Sequence, residues 1–347
     1  MIQIPSFVII SILSGYLCYL FIPIVKGYCK QHELYDMPGP RKIHTEPTPR
    51  LGGVALFAAY FMGLMPGFLL FPDLWWANLK TITGIFLGGI IIFALGLIDD
   101  IRGVRPLVKL FWQIVACVVL VIFDIRLHAI NIPFYKMVDF GFWGIPLTII
   151  WVVAIINTIN LIDGLDGLAA GVSAIIAISF LVLSLMMGLP LPSFLAAGII
   201  GITLAFLKFN YFPASIFMGD SGSLFLGYLF GVISLFWPKS FATVVMFVPI
   251  LALGVPLIEI ITTFFRRLFA GQKIYVADKR HIFHFLLDMG VPERVTVWLF
   301  YLISLQFALT TFGIVGGDRN ILFVLQAILI IFTAIVVSKN LKLERRK

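Results

Sequence analysis

Residues 84–100 read GIFLGGIIIFALGLIDD, an apolar run that ends in two adjacent carboxylates. With its flanks it is long enough to cross roughly 30 Å of hydrocarbon as a helix. Such runs recur along the chain. Of the 347 residues, 61% are hydrophobic and only 12% charged, with a mean hydropathy of +1.07. A soluble domain carries about a quarter charged residues. The sequence therefore predicts an all-α polytopic membrane protein, with 1–347 forming a single domain. Eleven spans are expected, at 4–25, 51–71, 81–98, 107–123, 145–162, 168–187, 192–209, 221–237, 241–265, 295–314 and 320–338. The first lacks a basic leader region and a small-residue cleavage site, so it reads as a span rather than a signal peptide.

Lysine and arginine give the expected orientation. With the N-terminus outside, the inner segments hold 20 of the 25 basic residues and the outer ones 5. The C-terminus then lies in the cytoplasm, and the polar segments at 26–50, 99–109, 163–167, 208–220 and 266–294 share its side. The net charge of +8 is mostly this topology, with anionic lipid of the bilayer as its natural partner. No soluble basic domain suggests nucleic-acid binding. The three cysteines form no framework, and Cys18 and Cys117 fall inside spans. Outside, 124–144 has the alternation and turn residues of a small hairpin.

Five aspartates fall on the inner side: Asp99, Asp100, Asp163, Asp166 and Asp220. Carboxylates at membrane depth are expensive unless they bind ions or do chemistry. Together they suggest a metal-dependent site for a phosphate-bearing substrate. Each has a plainer reading too. Asp99-Asp100 fits either Mg²⁺ or proton chemistry or a surface turn neutralised by Arg102 and Arg105. Asn157, Asn160, Asp163 and Asp166 recur at every third residue and share a face if the helix continues, or else form a capped helix-to-helix turn. Phe217-Met218-Gly219-Asp220-Ser221-Gly222-Ser223 places small residues at a helix start, a favourable position for phosphate, and Asp220 is there either an N-cap or a metal ligand. His281 and His284, beside Arg280, either touch phosphate or belong to an interfacial amphipathic helix. Arg41, Lys42 and Arg50 offer phosphate contacts or a membrane-surface anchor. Glu259 within the ninth span pairs with Arg266 or serves function.

In order, PGPRKIHTEPTPRLGG, GLIDD, NTINLIDGLDGLAAG, FNYFPASIFMGDSGSLFLG and KRHIFHFLLDMG resemble the polyprenyl-phosphate N-acetylhexosamine-1-phosphate transferases. The match spans nearly the whole chain. It is most similar to the WecA/TagO-like branch, which uses UDP-GlcNAc, and more distantly to the MraY-like branch, whose consecutive triple-histidine stretch is absent here. The resemblance implies catalytic roles for Asp99, Asp100, His281 and His284, with Asp99 the base that deprotonates the lipid phosphate. It implies Mg²⁺, with Mn²⁺ as an alternative, on Asp220 and Asp100. It implies substrate contacts from Lys42, Asn160, Asp163, Asp166, Asn210, Phe217 and Arg280. The chain departs from the family's His-Ile-His-His pattern at Phe283. The partners implied are a UDP-N-acetylhexosamine, undecaprenyl phosphate and the lipid bilayer of the bacterial inner membrane, and relatives suggest a homodimer. A transporter with ion-relaying carboxylates is the rival class, although such sites normally lie near the midplane. A CDP-alcohol phosphotransferase would need an Ala-Arg signature that Asp163-Gly164 and Asp166-Gly167 lack.

Overall fold

The computed structural model describes residues 4–37, 46–131, 137–236, 286–287, 289–315 and 322–333. The chain is mostly helical. In order come α1 (Ile4–Gln31), β1 (Tyr35–Asp36), β2 (Thr48–Pro49), α2 (Gly52–Leu70), α3 (Pro72–Ala77), α4 (Leu79–Arg102) and α5 (Pro106–Ile122). These are followed by β3 (Ala129–Asn131), β4 (Met137–Asp139), α6 (Gly144–Ile162), α7 (Leu168–Met186), α8 (Pro190–Asn210), α9 (Gly219–Ile233), α10 (Glu293–Val315) and α11 (Leu322–Thr333). Among the described residues, seven helices are long and apolar enough to cross a membrane, and α2, α5 and α11 are shorter apolar helices. This is the pattern of a polytopic membrane protein. The expected span at 241–265, with Glu259, lies outside the described residues.

Burial sorts the helices. The run Ser221–Ile233 of α9 is buried throughout, and α7 and α8 nearly so, whereas α1 exposes Val8, Ile9, Ile12 and Ile24. A helix that is apolar all round and covered all round is a bundle core, and α9 fills that place against α4 and α6. Next to it α8 packs on α1 and α7, and α10 on α7. Hydrocarbon gives no hydrophobic drive between helices, so close packing of small residues decides the contacts. A Cβ on Gly96 of α4 would stand 2.5 Å from the backbone oxygen of Asp220, and one on Gly53 of α2 2.2 Å from the amide nitrogen of Gly222. These glycines let α2 and α4 press on the first turn of α9.

Two small ribbons finish the helix ends. β3 pairs antiparallel with β4, Ile130 opposite Val138, which is the hairpin expected in 124–144. β1 pairs with β2, and the chain after β2 lies along 217–218: Phe217 donates to the Pro49 carbonyl, while Gly52 and Gly53 donate to those of Phe217 and Met218. The FMGDSGS stretch is thus held by its own backbone on the segment that opens α2.

Candidate active site

The end of α4 carries the centre of the site. Asp99 lies one turn from the C-cap Gly103, and its carboxylate accepts the Val104 amide at 2.5 Å. On α5, one turn past Pro106, Lys109 reaches back and places its ammonium 2.5 Å from Asp99 Oδ2 and 2.6 Å from Asp220 Oδ2. From α6, Asn160 donates to Asp220 Oδ1 at 3.1 Å and to the Ser223 hydroxyl at 2.9 Å. Four helices therefore converge on two carboxylates and one ammonium. The side chains of Lys109, Asp99 and Asp220 are 24%, 13% and 25% exposed, so the cluster opens to a ligand rather than being sealed.

Asp100 behaves differently from its neighbour. It is 6% exposed. One oxygen accepts the Asp220 amide at 2.7 Å, and the other accepts the Ser221 amide at 3.0 Å and its hydroxyl at 2.6 Å. The first amides of a helix have no partner within it, and here a carboxylate from another helix supplies one. Of the two readings of Asp220, the N-cap does not hold: Met218 is the N-cap residue and makes no side-chain cap, and Asp220 sits inside the first turn. The close approach requires glycine at 219, where φ is +70° and a Cβ would stand 2.6 Å from Asp100 Oδ2.

The Asn157–Asp166 series divides. α6 ends at Ile162, with Asp163 as its C-cap, so the shared face of a continuing helix is not formed. Asn157 turns to α5, where it exchanges hydrogen bonds of 2.8 and 3.3 Å with the buried Gln113. Asn160 turns to Asp220. Burial, and then the charges of Asp220, Asp100 and Asp166, push the carboxyl of Asp163 well above the ordinary aspartate range. Asp166 accepts the Ala214 amide at 2.8 Å, and Asn210 accepts the Gly167 amide at 3.1 Å while donating to the Ile216 carbonyl at 3.0 Å. Asp166 and Asn210 thus join the 163–167 turn to the loop that carries Phe217. Lys42, Arg280, His281, Phe283 and His284 lie outside the described residues.

Sequence reasoning passed over Lys109, which read as one more basic residue flanking a span. Its spacing of one turn past a proline at the start of α5, in reach of Asp99, was the available signal. The donor set suits a hard cation: Asp99 and Asp220 offer carboxylate oxygens, and Mg²⁺ commonly takes one or two carboxylates and keeps several waters. Among the described residues no three His, Cys, Asp or Glu side chains converge as a closed metal cage, and the ammonium of Lys109 marks the point between Asp99 and Asp220 where positive charge is wanted. A separate cavity of about 230 Å³, lined by Phe61, Leu64, Trp75, Ile82, Phe86 and Leu195 among others, lies towards the other end of α4 and has almost no polar lining. It offers no chemistry.

Residues 82–238, which carry this cluster, match the model of glycosyl transferase family 4. The chain is 35% identical over 338 residues to a probable undecaprenyl-phosphate N-acetylglucosaminyl 1-phosphate transferase of Bacillus subtilis, covering 97% of this chain and 92% of that protein. It is 28% identical to an undecaprenyl-phosphate alpha-N-acetylglucosaminyl 1-phosphate transferase of Thermotoga maritima, over 92% of this chain and 96% of that one. A phospho-N-acetylmuramoyl-pentapeptide-transferase of Pelobacter propionicus is 30% identical over 78% of this chain and 81% of its own length. With the ordered motifs and the Asp99–Lys109–Asp220 cluster, these likenesses make the chain a member of the polyprenyl-phosphate N-acetylhexosamine-1-phosphate transferase family.

Proposed function

We propose that the protein transfers N-acetylglucosamine 1-phosphate from UDP-GlcNAc to undecaprenyl phosphate, releasing UMP and starting a cell-envelope glycan. The observation that carries this reading is the convergence of Asp99, Lys109, Asn160 and Asp220 from four helices at one end of the bundle, in a chain whose relatives bear that activity in their names. A phosphate oxygen of the lipid attacks the β-phosphorus of the nucleotide sugar. The bond from that phosphorus to the oxygen bridging the α-phosphate breaks, and the electron pair leaves with UMP. One phosphoanhydride replaces another, so no further energy source is needed. Two anions must meet in line, so positioning and charge neutralisation carry the catalysis.

Each residue has a part in this. Asp99 takes the proton of the lipid phosphate. Asp220 would hold Mg²⁺, and Asn160 fixes the Asp220 carboxylate through its hydrogen bond; Asp100, the other expected ligand, has both oxygens taken by the first turn of α9. When bound, the ion neutralises phosphate charge and orients the reacting groups. Asp100 acts through the first turn of α9, whose amides it accepts, and so sets where the Asp220 carboxylate stands. Lys109 keeps the two carboxylates together until substrate arrives, and then faces the incoming phosphates. Asp163, Asp166, Asn210 and Phe217 surround the nucleotide, with Lys42 and Arg280 beside it, and His281 and His284 contact phosphate. The apolar runs argue for eleven spans, and the basic-residue distribution for an outside N-terminus and a site on the cytoplasmic face of the bacterial inner membrane.

The test is UMP release by purified protein in detergent with undecaprenyl phosphate, UDP-GlcNAc and Mg²⁺. Lipid-dependent release abolished by EDTA is expected. Release with UDP-MurNAc-pentapeptide or another UDP-sugar alone would move the substrate within the family, and no release with any nucleotide sugar from folded protein would overturn the reading.

A further inference from the structure

The first turns of α10 reach into the turn 163–167 and its neighbouring loop. Glu293 accepts the Asp166 amide at 3.2 Å, and the Tyr301 hydroxyl donates to the Gly167 carbonyl at 2.6 Å. With Asn210 taking the Gly167 amide, three adjacent backbone groups of this turn are each satisfied by a side chain from another helix. On the same helix Trp298 donates to the Tyr211 hydroxyl at 3.0 Å, and the Arg294 guanidinium lies 4.8 Å from the centre of the Phe212 ring. The fit is close: Gly167 has φ +79°, and a Cβ on Gly171 would stand 2.2 Å from the Tyr301 hydroxyl.

An acidic residue in a first helical turn is favoured by the helix dipole alone, and this is the plain role for Glu293. It does not explain why the carboxylate spends an oxygen on the backbone of a second acidic residue, Asp166, where like charges repel. We infer that Glu293 and Tyr301 are positioning residues, which hold the 163–167 turn in the register that presents Asp163 and Asp166 to the nucleotide. This rests on the reading of that turn as part of the nucleotide site. It goes beyond that reading by making α10, nine residues after His284, the element that sets nucleotide affinity.

The test is steady-state UMP release with each substrate varied in turn, for Glu293→Ala, Glu293→Gln, Tyr301→Phe and Asp163→Asn. Removing the Glu293 acceptor should raise the KM for UDP-GlcNAc by roughly five- to tenfold, the scale of one hydrogen bond, with the KM for undecaprenyl phosphate unchanged. Glu293→Gln keeps an amide oxygen in place and should stay within about twofold of wild type, while Tyr301→Phe keeps the ring on Gly171 and should raise the same KM by about two- to fivefold. A purely structural role would lower the yield or melting temperature of Glu293→Ala and leave both KM values alone, and that result overturns the inference. So does an equal rise in both. Should Glu293→Ala fail to fold, Tyr301→Phe decides by the same criterion. If Asp163→Asn raises the UDP-GlcNAc KM while the α10 variants do not, only the inference fails; if Asp163→Asn leaves it unmoved, the nucleotide reading of the turn fails first.

Discussion

The two ends of α4 make opposite use of the same helix. Towards Leu79 it lines a cavity of about 230 Å³ with Ile82, Ile85 and Phe86, and nearly every wall atom is apolar. Towards Arg102 it presents Asp99 to Lys109 and Asp100 to the start of α9. The lining of the roomy end is apolar apart from Thr83 and Trp75. The crowded end has two carboxylates, an ammonium and an amide within hydrogen-bond reach. In a chain this apolar, the placement of a few expensive polar groups locates the chemistry better than the size of a void does.

The contrast can be broken most severely at Asp99. Asp99→Asn should lower kcat on the order of 10²–10⁴-fold, the usual scale for a general base, with the melting temperature in detergent little changed. Near-normal turnover would remove Asp99 from the mechanism. Asp100→Asn tests its neighbour. The swap turns one acceptor into a donor that faces the amides of Asp220 and Ser221, so a loss of about 1–3 kcal/mol in stability is expected, together with reduced turnover through the shifted Asp220. Unchanged thermal unfolding would show that α9 does not depend on that cap. Gly96→Ala places a methyl 2.5 Å from the Asp220 carbonyl oxygen. It should cost about 1–3 kcal/mol as overpacking and raise the Mg²⁺ concentration needed for half-maximal UMP release, since α9 must move away from α4; a Mg²⁺ titration that overlays wild type would count against this. The smallest effect is expected at the apolar end. Thr83 lines the cavity and donates to the Leu79 carbonyl one turn back, so Thr83→Val should leave kcat/KM within about twofold, as surface and rim changes usually do. A large loss there would mean that the cavity takes part.

Much of the bundle was legible because membrane spans are written in composition. The run at 168–187 became α7 at Leu168–Met186, and 192–209 became α8 at Pro190–Asn210. The motif FMGDSGS was expected to offer helix-start amides to phosphate; in the structure the amides of Asp220 and Ser221 are taken by the Asp100 carboxylate. What the sequence hid was which side chain meets which helix. Spacing put Asn157 and Asn160 on one face, yet Asn157 pairs with Gln113 of α5 and Asn160 with Asp220 of α9, because two different helices pack along that one face. Asp99 and Asp100 look equivalent in sequence. One residue turns a helical side chain by about 100°, enough to send one carboxylate to the open cluster and the other to the buried start of α9. Lys109 and Glu293 were obscure for a similar reason, since a basic or acidic residue near a helix start has an ordinary local role that conceals a partner distant in sequence.

The most direct test of the account sets wild type beside Asp220→Asn, at equal amounts of folded protein, and follows UMP release from UDP-GlcNAc and undecaprenyl phosphate through a Mg²⁺ titration. Wild type should release UMP only when lipid and Mg²⁺ are both present, and Asp220→Asn should fall by at least about 100-fold at saturating Mg²⁺, as expected for loss of a metal-holding carboxylate. Release by Asp220→Asn at the wild-type rate, or release by wild type that persists in EDTA, would contradict the placement of the reaction at this end of the bundle.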